Sequence, residues 1–297
     1  MIRFCAFSIL FFLTFALPSC TVSKQIKELS QTATSAYEQE DYREAFNDYD
    51  ELIALKESRN KAVDGETYFK AGVAAWRISK VDEAIQNLEN AKRSSYSDEK
   101  LYSTLARAYL EIDNLSREII NLEAYLEKFP SGIGIDEVKK QLFIAYDRSE
   151  NWQPGYDLWS DLTEEQKSEA RIIRSYLNIS KALGKTNEVV PLAKQLLSID
   201  PNDMVALELL AMEYYNMAEE SYKTEMRAYQ DNRTNRQYRQ LLKALDVINE
   251  NFHTSRKYFE QLYSQNPEPR FAKYLGNIYT RFDNKQKADY YYKKADE

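Results

Sequence analysis

Histidine and cysteine provide most protein metal ligands and many covalent nucleophiles, and this chain contains very few of either. His253 is its single histidine, and Cys5 and Cys20 are its two cysteines. His253 follows Phe252 in a long apolar rhythm, which is typical of a histidine on a helix face. This composition disfavours zinc sites, cysteine–histidine catalysis and disulfide frameworks, and we expect neither a metal ion nor any other cofactor.

Phosphate binding often uses a glycine-rich loop, and one class of hydrolase uses a pair of carboxylates. The phosphate-binding patterns GxxxxGK and GxGxxG are both missing from the sequence. The stretch SGIGID at 131–136 follows Phe129 and Pro130, which indicates a loop between helices. Carboxylates are abundant, as in EQEDYRE at 38–44, but at helical spacing they indicate solvated faces. A hydrolase that uses two carboxylates is therefore a disfavoured alternative.

Net charge bears on the class of partner, and the content of glycine and proline bears on the class of fold. The net charge is −7, with 40 basic and 47 acidic residues. A nucleic-acid-binding domain is more often basic, so we expect no nucleic acid among the partners. The 7 glycines and 7 prolines are few for 297 residues, which favours long helices over a fold with many turns.

The N-terminal residues resemble a secretory leader. Arg3 precedes the apolar stretch FCAFSILFFLTFAL at 4–17, which is short for a membrane-spanning helix and typical of a signal peptide. The stretch ends in LPSC, which resembles a bacterial lipobox. This resemblance implies a lipoprotein signal peptide at 1–19, lipidation of Cys20 and a short tether at 20–25. The alternative is an ordinary signal peptide that is cleaved nearby and leaves Cys20 as a free thiol.

The residue after Cys20 bears on the destination of the chain. In well-studied Gram-negative lipoproteins, an aspartate at this position favours retention in the inner membrane, and here the residue is Thr21. By resemblance, the chain is expected to be exported and lipid-anchored at the periplasmic face of the outer membrane. With Cys5 removed, no disulfide can form within the mature chain, and stability must come from packing.

Small residues recur twelve positions apart along the chain. Gly276 and Ala288 form one such pair, within YLGNIY and ADYYY. These motifs resemble the two halves of a tetratricopeptide (TPR) repeat, which is a pair of antiparallel helices in about 34 residues. The small residues of such a repeat lie where neighbouring helices approach most closely, and the aromatic side chains around them fill the remaining space.

The first small position recurs over most of the chain. It is occupied in turn by Ala33, Gly72, Ala106, Phe143, Leu177, Ala211 and Gly276. Phe143 and Leu177 are large for this position and mark degenerate copies. The pattern predicts an all-α fold, a TPR-type superhelical array of antiparallel helix pairs, with repeats 1–5 at 26–201 and a C-terminal repeat at 268–297. A non-repeating helical bundle is the alternative.

The interval between Ala211 and Gly276 is nearly two repeats long. An apolar rhythm continues beyond Ala211, the polar cluster DNRTN follows at 231–235, and a second, coiled-coil-like rhythm comes after it. We expect one elongated helical hairpin at 202–267, a sixth repeat with both helices lengthened and with Ser255 in its second small position. A hidden extra repeat is the alternative.

The TPR resemblance also implies where partners bind, because the first helix of each pair lines a concave groove in this family. Basic residues are enriched on the groove-facing stripes although the whole chain is acidic, which predicts a groove for an acidic or carboxylate-ended peptide. The alternative is that these cations pair with neighbouring acids along the helices. The predicted groove residues are Arg77, Arg107, Lys140, Arg148, Arg171, Arg174, Lys181, Lys273 and Arg281.

A second basic stripe lies near the tip of the predicted hairpin. It consists of Arg233, Arg236, Arg239 and Lys243. Such a stripe is compatible with an anionic lipid surface or an acidic partner, and a solvated helix face is the simpler interpretation.

By resemblance, the chain is expected to be a non-catalytic scaffold for protein–protein interaction, a membrane-anchored TPR lipoprotein in an envelope assembly or secretion complex. Its expected partners are proteins or peptides, acidic segments among them, and the membrane through the lipid on Cys20. An accessory regulator that recruits peptidoglycan or envelope enzymes is the alternative.

Overall fold

Residues 19–297, the part of the chain that the computed structural model describes, form fourteen α-helices and no β-strand. The predicted leader up to residue 18 and the side chain of Cys20 lie outside this description. The all-α prediction is confirmed. The helices are α1 (Ser19–Glu38), α2 (Tyr42–Ser58), α3 (Gly65–Arg77), α4 (Val81–Arg93), α5 (Glu99–Glu111), α6 (Leu115–Lys128), α7 (Ile135–Arg148), α8 (Trp152–Leu158), α9 (Ala170–Ala182), α10 (Thr186–Ile199), α11 (Met204–Asp231), α12 (Asn235–Gln265), α13 (Pro269–Arg281) and α14 (Lys285–Ala295).

The chain divides into two compact units, residues 1–133 and residues 134–297. In the described part of the first unit, the helices pack as the consecutive pairs α1/α2, α3/α4 and α5/α6. The second unit contains α7/α8, α9/α10, α11/α12 and α13/α14, with two short 3₁₀ segments between α8 and α9. Every described helix thus packs against its neighbour in sequence, as an array of helix pairs requires.

Six of the described pairs turn in the same way. In each turn one residue has a left-handed backbone, with φ between 53° and 69°, and it lies seven positions after the first small residue. The next N–H donates to the carbonyl five residues earlier at 2.8–2.9 Å, a bond that closes the end of the helix. The repeat phase predicted from the small residues is therefore present in the backbone. The left-handed residues are Glu40, Ser79, Asp113, Glu150, Gly184 and Asp283.

Side-chain caps determine where many of the helices begin. Asp64, before α3, accepts hydrogen bonds from the Thr67 N–H at 2.8 Å and from Lys56 of α2 at 2.9 Å. Burial would raise the pKa of Asp64, but these donors outweigh burial and lower the pKa to about 2. One carboxylate therefore both starts α3 and holds α2 beside it. The other side chains that cap in this way are Asp41, Asp98, Asn114, Asp203, Thr234 and Asn284.

The sixth pair is the elongated hairpin. Helices α11 and α12 contain 28 and 31 residues, and the short turn 232–234 joins them. At about 1.5 Å per residue, both helices exceed roughly 40 Å in length. Ser255 is fully buried, and its hydroxyl donates to the carbonyl of Ala211 at 2.8 Å. Two continuous helices therefore fill the long interval, and Ser255 lies opposite Ala211 as the second small position requires.

The small residue at Gly276 lies at a close approach of two helices, as its position in the motif predicts. A Cβ atom there would come within 2.7 Å of the Tyr292 ring on α14. The Tyr292 hydroxyl donates to Asn277 at 3.0 Å, which holds the ring against α13. Glycine is the residue that leaves room for this ring without moving either helix.

Candidate functional site

The nine predicted groove cations fall into three groups. Lys140, Arg174 and Arg281 form ion pairs with acids of the second unit. Four others line cavities, Arg77 and Arg107 in the first unit and Arg148 and Lys181 in the second. Arg171 and Lys273 are exposed on α9 and α13.

Arg174 is held by a carboxylate that also starts a helix. Its Nε donates to Oδ2 of Asp203 at 2.7 Å, and its Nη2 donates to the same oxygen. Asp203 is buried, and its other oxygen caps α11 by accepting from the Ala206 N–H at 2.9 Å. The half-buried guanidinium therefore joins α9 to the start of α11, and pairing within the chain describes its role.

Lys140 and Arg281 also form ion pairs with glutamates of the second unit. The bond to Glu137, and then the bond to Glu169, raises the pKa of Lys140. The guanidinium of Arg281 donates to Glu219 of α11 at 2.9–3.1 Å and lies 4.4 Å from the centre of the Tyr222 ring. Lys140 pairs with Glu137 of its own helix, as the alternative predicts, whereas Arg281 pairs with an acid of another helix.

The first unit contains a cavity of about 410 Å³, which we call the first-unit cleft. The end of α1, the start of α2 and one face each of α3 and α5 supply its walls. It brings together two of the predicted groove residues with several aromatic side chains. The lining residues are Tyr37, Glu38, Glu40, Tyr42, Val73, Trp76, Arg77, Lys100, Ser103, Thr104 and Arg107.

Aromatic rings form one wall of the first-unit cleft and hold Arg77 in place. Tyr37 and Tyr42 pack edge to face with centroids 5.9 Å apart. The Arg77 guanidinium lies 5.4 Å from the Tyr42 centroid and 5.7 Å from that of Trp76, within the range of cation–π attraction. Burial, and then the neighbouring tyrosines, raises the pKa of Tyr37 to about 12, so its hydroxyl is neutral at pH 7.

The charges of the first-unit cleft are unevenly placed. Arg77, Lys100 and Arg107 are exposed on α3 and α5, and within residues 19–297 none of the three forms an ion pair. Glu38 and Glu40 lie at the end of α1 and in the turn after it. The α3 and α5 wall can therefore accept a carboxylate, whereas the rings beside it can accept an apolar side chain.

The second unit contains a more apolar cavity of about 440 Å³ between α10 and α11. Lys181 lies at its rim, and so does Glu208, which accepts hydrogen bonds from Arg270. Lys181 also lines a neighbouring cavity with Arg148 and Asp147. Each of these two cavities is lined by two basic residues, whereas three basic residues line the first-unit cleft. The apolar lining consists of Val189, Val190, Val205, Leu209 and Met212.

Some residues of the first-unit cleft are absent from the predicted set. Tyr42 comes from the start of a second helix, so a search limited to first helices does not find it. Tyr37, Trp76 and Lys100 lie on the groove-facing stripes of first helices, so the repeat phase does place them in the groove although the nine predicted residues omit them. The signal for this site is therefore the combination of rings and cations, and basic residues alone are insufficient.

Other kinds of site are limited by two findings on residues 19–297. No group of three or more histidine, cysteine, aspartate and glutamate side chains in this range is arranged to hold a metal ion. None of the helices there combines the length and apolar character that crossing a bilayer demands. His253 is exposed on α12 and stacks on Phe282 with centroids 4.3 Å apart.

Comparison with known proteins identifies one segment directly. Residues 31–97, which include α2, α3 and α4, match the family model described as Tetratricopeptide repeat. DnaJ homolog subfamily C member 3 of Gallus gallus is 25% identical over 226 residues, which are 72% of this chain and 44% of that protein. The chain thus spans less than half the length of this curated relative.

Two solved structures illustrate the structural similarity. A tetratricopeptide repeat protein from Parabacteroides merdae ATCC 43184 is 14% identical, and the match covers 92% of this chain and 93% of that one with a TM-score of 0.44. YrrB, described as a TPR protein with an unusual peptide-binding site, is 16% identical over 63% of this chain and 96% of its own, with a TM-score of 0.49. The matched segment at 31–97 and the turn that recurs in six helix pairs together support tetratricopeptide repeat architecture for this all-α chain.

Proposed function

We propose that this chain is a non-catalytic scaffold that binds acidic peptide segments of other proteins in its first-unit cleft. The observation that carries the proposal is the convergence of Arg77, Lys100 and Arg107, which form no ion pair within the described residues, beside the ring of Trp76. Exposed cations that form no ion pair within the described residues leave hydrogen-bond donors available to a ligand. Tetratricopeptide arrays in general bind peptides and subunits, which agrees with this chemistry.

The geometry of the first-unit cleft specifies the chemistry of its ligand. A carboxylate of the peptide binds at the α3 and α5 wall, where guanidinium groups donate paired hydrogen bonds. An adjacent aromatic or leucine side chain packs on the rings of Tyr37 and Trp76. Glu38 and Glu40 repel acids at the α1 side, so the acidic residues of the peptide lie toward Arg107 and Lys100.

Charge reversal in the first-unit cleft should abolish most of this binding. A short labelled peptide, rich in aspartate and containing one phenylalanine, is titrated into the full chain and followed by fluorescence anisotropy. R77E/R107E should weaken binding by at least about 30-fold, since each charge-assisted hydrogen bond contributes about 1.5–3 kcal/mol and about 1.4 kcal/mol is a tenfold change. R43E/R59E makes the same change in net charge on exposed residues outside the cleft, and should change binding less than about threefold.

Equal losses in the two double variants would show that bulk charge attracts the peptide, and the site would be wrong. A matched peptide with asparagine in place of aspartate provides the second control. The full chain should bind it at least about tenfold more weakly than the acidic peptide, because neutral hydrogen bonds are about half as strong as charge-assisted ones. Equal affinity for the two peptides would also contradict the proposal.

The finer proposal is that this scaffold is a lipoprotein of an envelope assembly or secretion complex, anchored at the periplasmic face of the outer membrane. The apolar stretch at 4–17 and the LPSC sequence that ends at Cys20 support it. Recruitment of peptidoglycan or envelope enzymes is the alternative role, and co-purification from detergent-solubilised membranes would distinguish the two.

Lipidation at Cys20 is directly measurable. Cells that express the chain are labelled with a palmitate analogue, and the purified protein should carry the label. Cys20→Ser should remove the label completely, because the thiol that would carry the acyl group is then absent. Cys5→Ser is the matched control and should keep the label. Label that persists in Cys20→Ser would rule out the lipobox.

A further inference from the structure

The end of the long hairpin, residues 223–243, has a charge opposite to that of the whole chain, and we call this surface the hairpin tip. It contains six basic residues against two acidic ones, Glu225 and Asp231, whereas the whole chain has a net charge of −7. The basic residues come from the end of α11, the turn and the start of α12. They are Lys223, Arg227, Arg233, Arg236, Arg239 and Lys243.

The cations of the hairpin tip do not stabilise the fold through ion pairs. All six are exposed, and within the described part of the chain none of them forms an ion pair. Elsewhere in the same unit, Arg256, Arg270 and Arg281 each pair with a glutamate. A cluster of like charges that lack compensating acids is unfavourable by itself, so a ligand that neutralises it would bind favourably.

The hairpin tip is also free of packing against other helices of its unit. Every side-chain hydrogen bond and ring contact of residues 223–249 in the structure lies within the hairpin, such as the Tyr229–Tyr238 contact at 5.7 Å. The hydrophobic core shared with α13 and α14 reaches Tyr222 on one helix and Ala244 on the other. The surface is therefore open on several sides.

Apolar side chains are exposed among these cations. Tyr238 is 47% exposed and Leu242 is 44% exposed, and both lie on α12 next to Arg239 and Lys243. Tyrosine with exposed apolar and basic neighbours suits the headgroup region of a bilayer, where the ring partitions into the interface and the cations meet phosphates.

We propose that the hairpin tip docks on a bilayer surface that contains anionic phospholipids. The six cations are spread over two helices and a turn, which suits many mobile phosphate groups better than one shaped acidic protein. Asp246 and Glu250 continue the exposed face of α12 beyond Lys243, and their repulsion limits the contact to the tip. This proposal is independent of the peptide in the first-unit cleft.

A fluorescent label at the tip reports on this contact directly, because the two native cysteines are replaced and the leader carries no dye. The full chain is made with Cys5→Ser, Cys20→Ser and Gln230→Cys, and an environment-sensitive dye is attached at position 230, which is exposed on the last turn of α11. Vesicles of phosphatidylglycerol and phosphatidylcholine in equal parts should shift the dye emission to the blue, and vesicles of phosphatidylcholine alone should leave it unchanged. High salt should reverse the shift, because it screens the attraction.

Charge variants test whether the basic residues of the hairpin tip cause the blue shift of the dye emission. R236E/R239E/K243E should lower the apparent affinity for the anionic vesicles more than tenfold, since each cation near an anionic surface is worth about fivefold. R43E/R59E/K61E changes net charge equally on exposed first-unit residues and should change the affinity less than about threefold. R236Q/R239Q/K243Q should give an intermediate loss, which controls for repulsion introduced by glutamate.

Three outcomes would overturn the proposal. The first is a dye that does not respond to anionic vesicles, and the second is an equal response to neutral ones. The third is a response to soluble polyglutamate that exceeds the response to vesicles, which would assign the hairpin tip to an acidic protein. Circular dichroism of each variant should match that of the parent chain, because the replaced side chains are exposed.

Discussion

Replacement of Phe259 with alanine should destabilise the second unit by about 3–5 kcal/mol, the usual cost of removing a fully buried aromatic ring. Phe259 is completely buried on α12. Its ring stacks on that of Tyr274 with centroids 4.8 Å apart and an interplanar angle of 7°, and it also contacts Phe271 at 6.2 Å. Both partners belong to α13, so this ring fills the contact between the long hairpin and the last helix pair. Alanine would leave a cavity there and deprive the rings of Tyr274 and Phe271 of their contact.

The loss is measured by urea unfolding in a Trp76→Phe background. Trp152 and Trp159 are then the only tryptophans, and both lie in the second unit, so fluorescence reports on that unit alone. Tyr238→Ala is the matched control, because it removes an aromatic ring from the same helix at an exposed position and should cost less than about 1 kcal/mol. Similar losses in the two variants would contradict the packing described for α12 and α13.

Glu188→Ala should cost the second unit about 2–4 kcal/mol, because three hydroxyl groups lose a common charged acceptor. The Glu188 carboxylate accepts hydrogen bonds from Tyr156 at 2.8 Å, from Tyr176 at 3.0 Å and from Ser180 at 3.1 Å. Ser180 is fully buried and Tyr176 nearly so, which leaves little water to replace the lost acceptor. This carboxylate therefore ties α8, α9 and α10 together, where two degenerate repeats meet.

The hydrogen bonds to Glu188 also predict that the stability of the second unit depends on pH. Burial would raise the pKa of Glu188, but the three hydroxyl donors outweigh it, so the pKa is lower in the folded chain than in the unfolded one. A carboxyl with a depressed folded pKa contributes stability above its unfolded pKa of about 4.3 and loses it as the pH falls through the folded value. Burial, and then Glu188, raises the pKa of Tyr176, which keeps that hydroxyl a neutral donor at pH 7.

Glu188→Gln separates the charge from the shape of this side chain. We expect it to cost about 1–2 kcal/mol at pH 7, since an amide oxygen still accepts hydrogen bonds but more weakly. The difference between the parent chain and Glu188→Gln in urea unfolding should shrink as the pH falls below about 4. A difference that grows on acidification would show that the pKa of Glu188 is raised, and would refute the assignment of these hydrogen bonds.

The repeat phase could be predicted from the sequence because it is a local property of each helix pair. Phe143 and Leu177 are large residues at a small position, yet the left-handed turn follows seven residues later, at Glu150 and Gly184, as in the other repeats. Turn geometry and apolar period depend on residues close in sequence, and both survive when one packing residue changes. The elongated hairpin was predictable for the same reason, since its apolar rhythm is uninterrupted.

The pairing of Arg174 and of Arg281 could not be predicted in this way. Asp203, the partner of Arg174, is 29 residues away in the sequence. Glu219, the partner of Arg281, is 62 residues away and lies on α11, the first helix of the long hairpin. Such pairs depend on how one helix pair is rotated against the next, and the sequence period of a single helix does not specify that rotation. Local spacing finds acids three or four residues away and misses these.

The residues of the first-unit cleft could be predicted from the sequence only in part. Arg77 and Arg107 lie on stripes that the repeat phase identifies, and the structure brings them to one cavity. Tyr42 joins them from a second helix, and its ring positions Arg77. Which exposed cations remain unpaired, and are thus able to bind a partner, becomes visible only once the acids around them are located.

Selection of random peptides on the immobilised full chain tests whether the first-unit cleft binds acidic segments, because it presupposes no partner. We expect the recovered peptides to be enriched in aspartate and glutamate next to an aromatic residue or leucine. They should compete with one another, and R77E/R107E should lose them while R43E/R59E retains them. Recovered peptides without acidic enrichment, or peptides that bind R77E/R107E as well as the parent chain, would contradict the claim that the first-unit cleft binds acidic segments of other proteins.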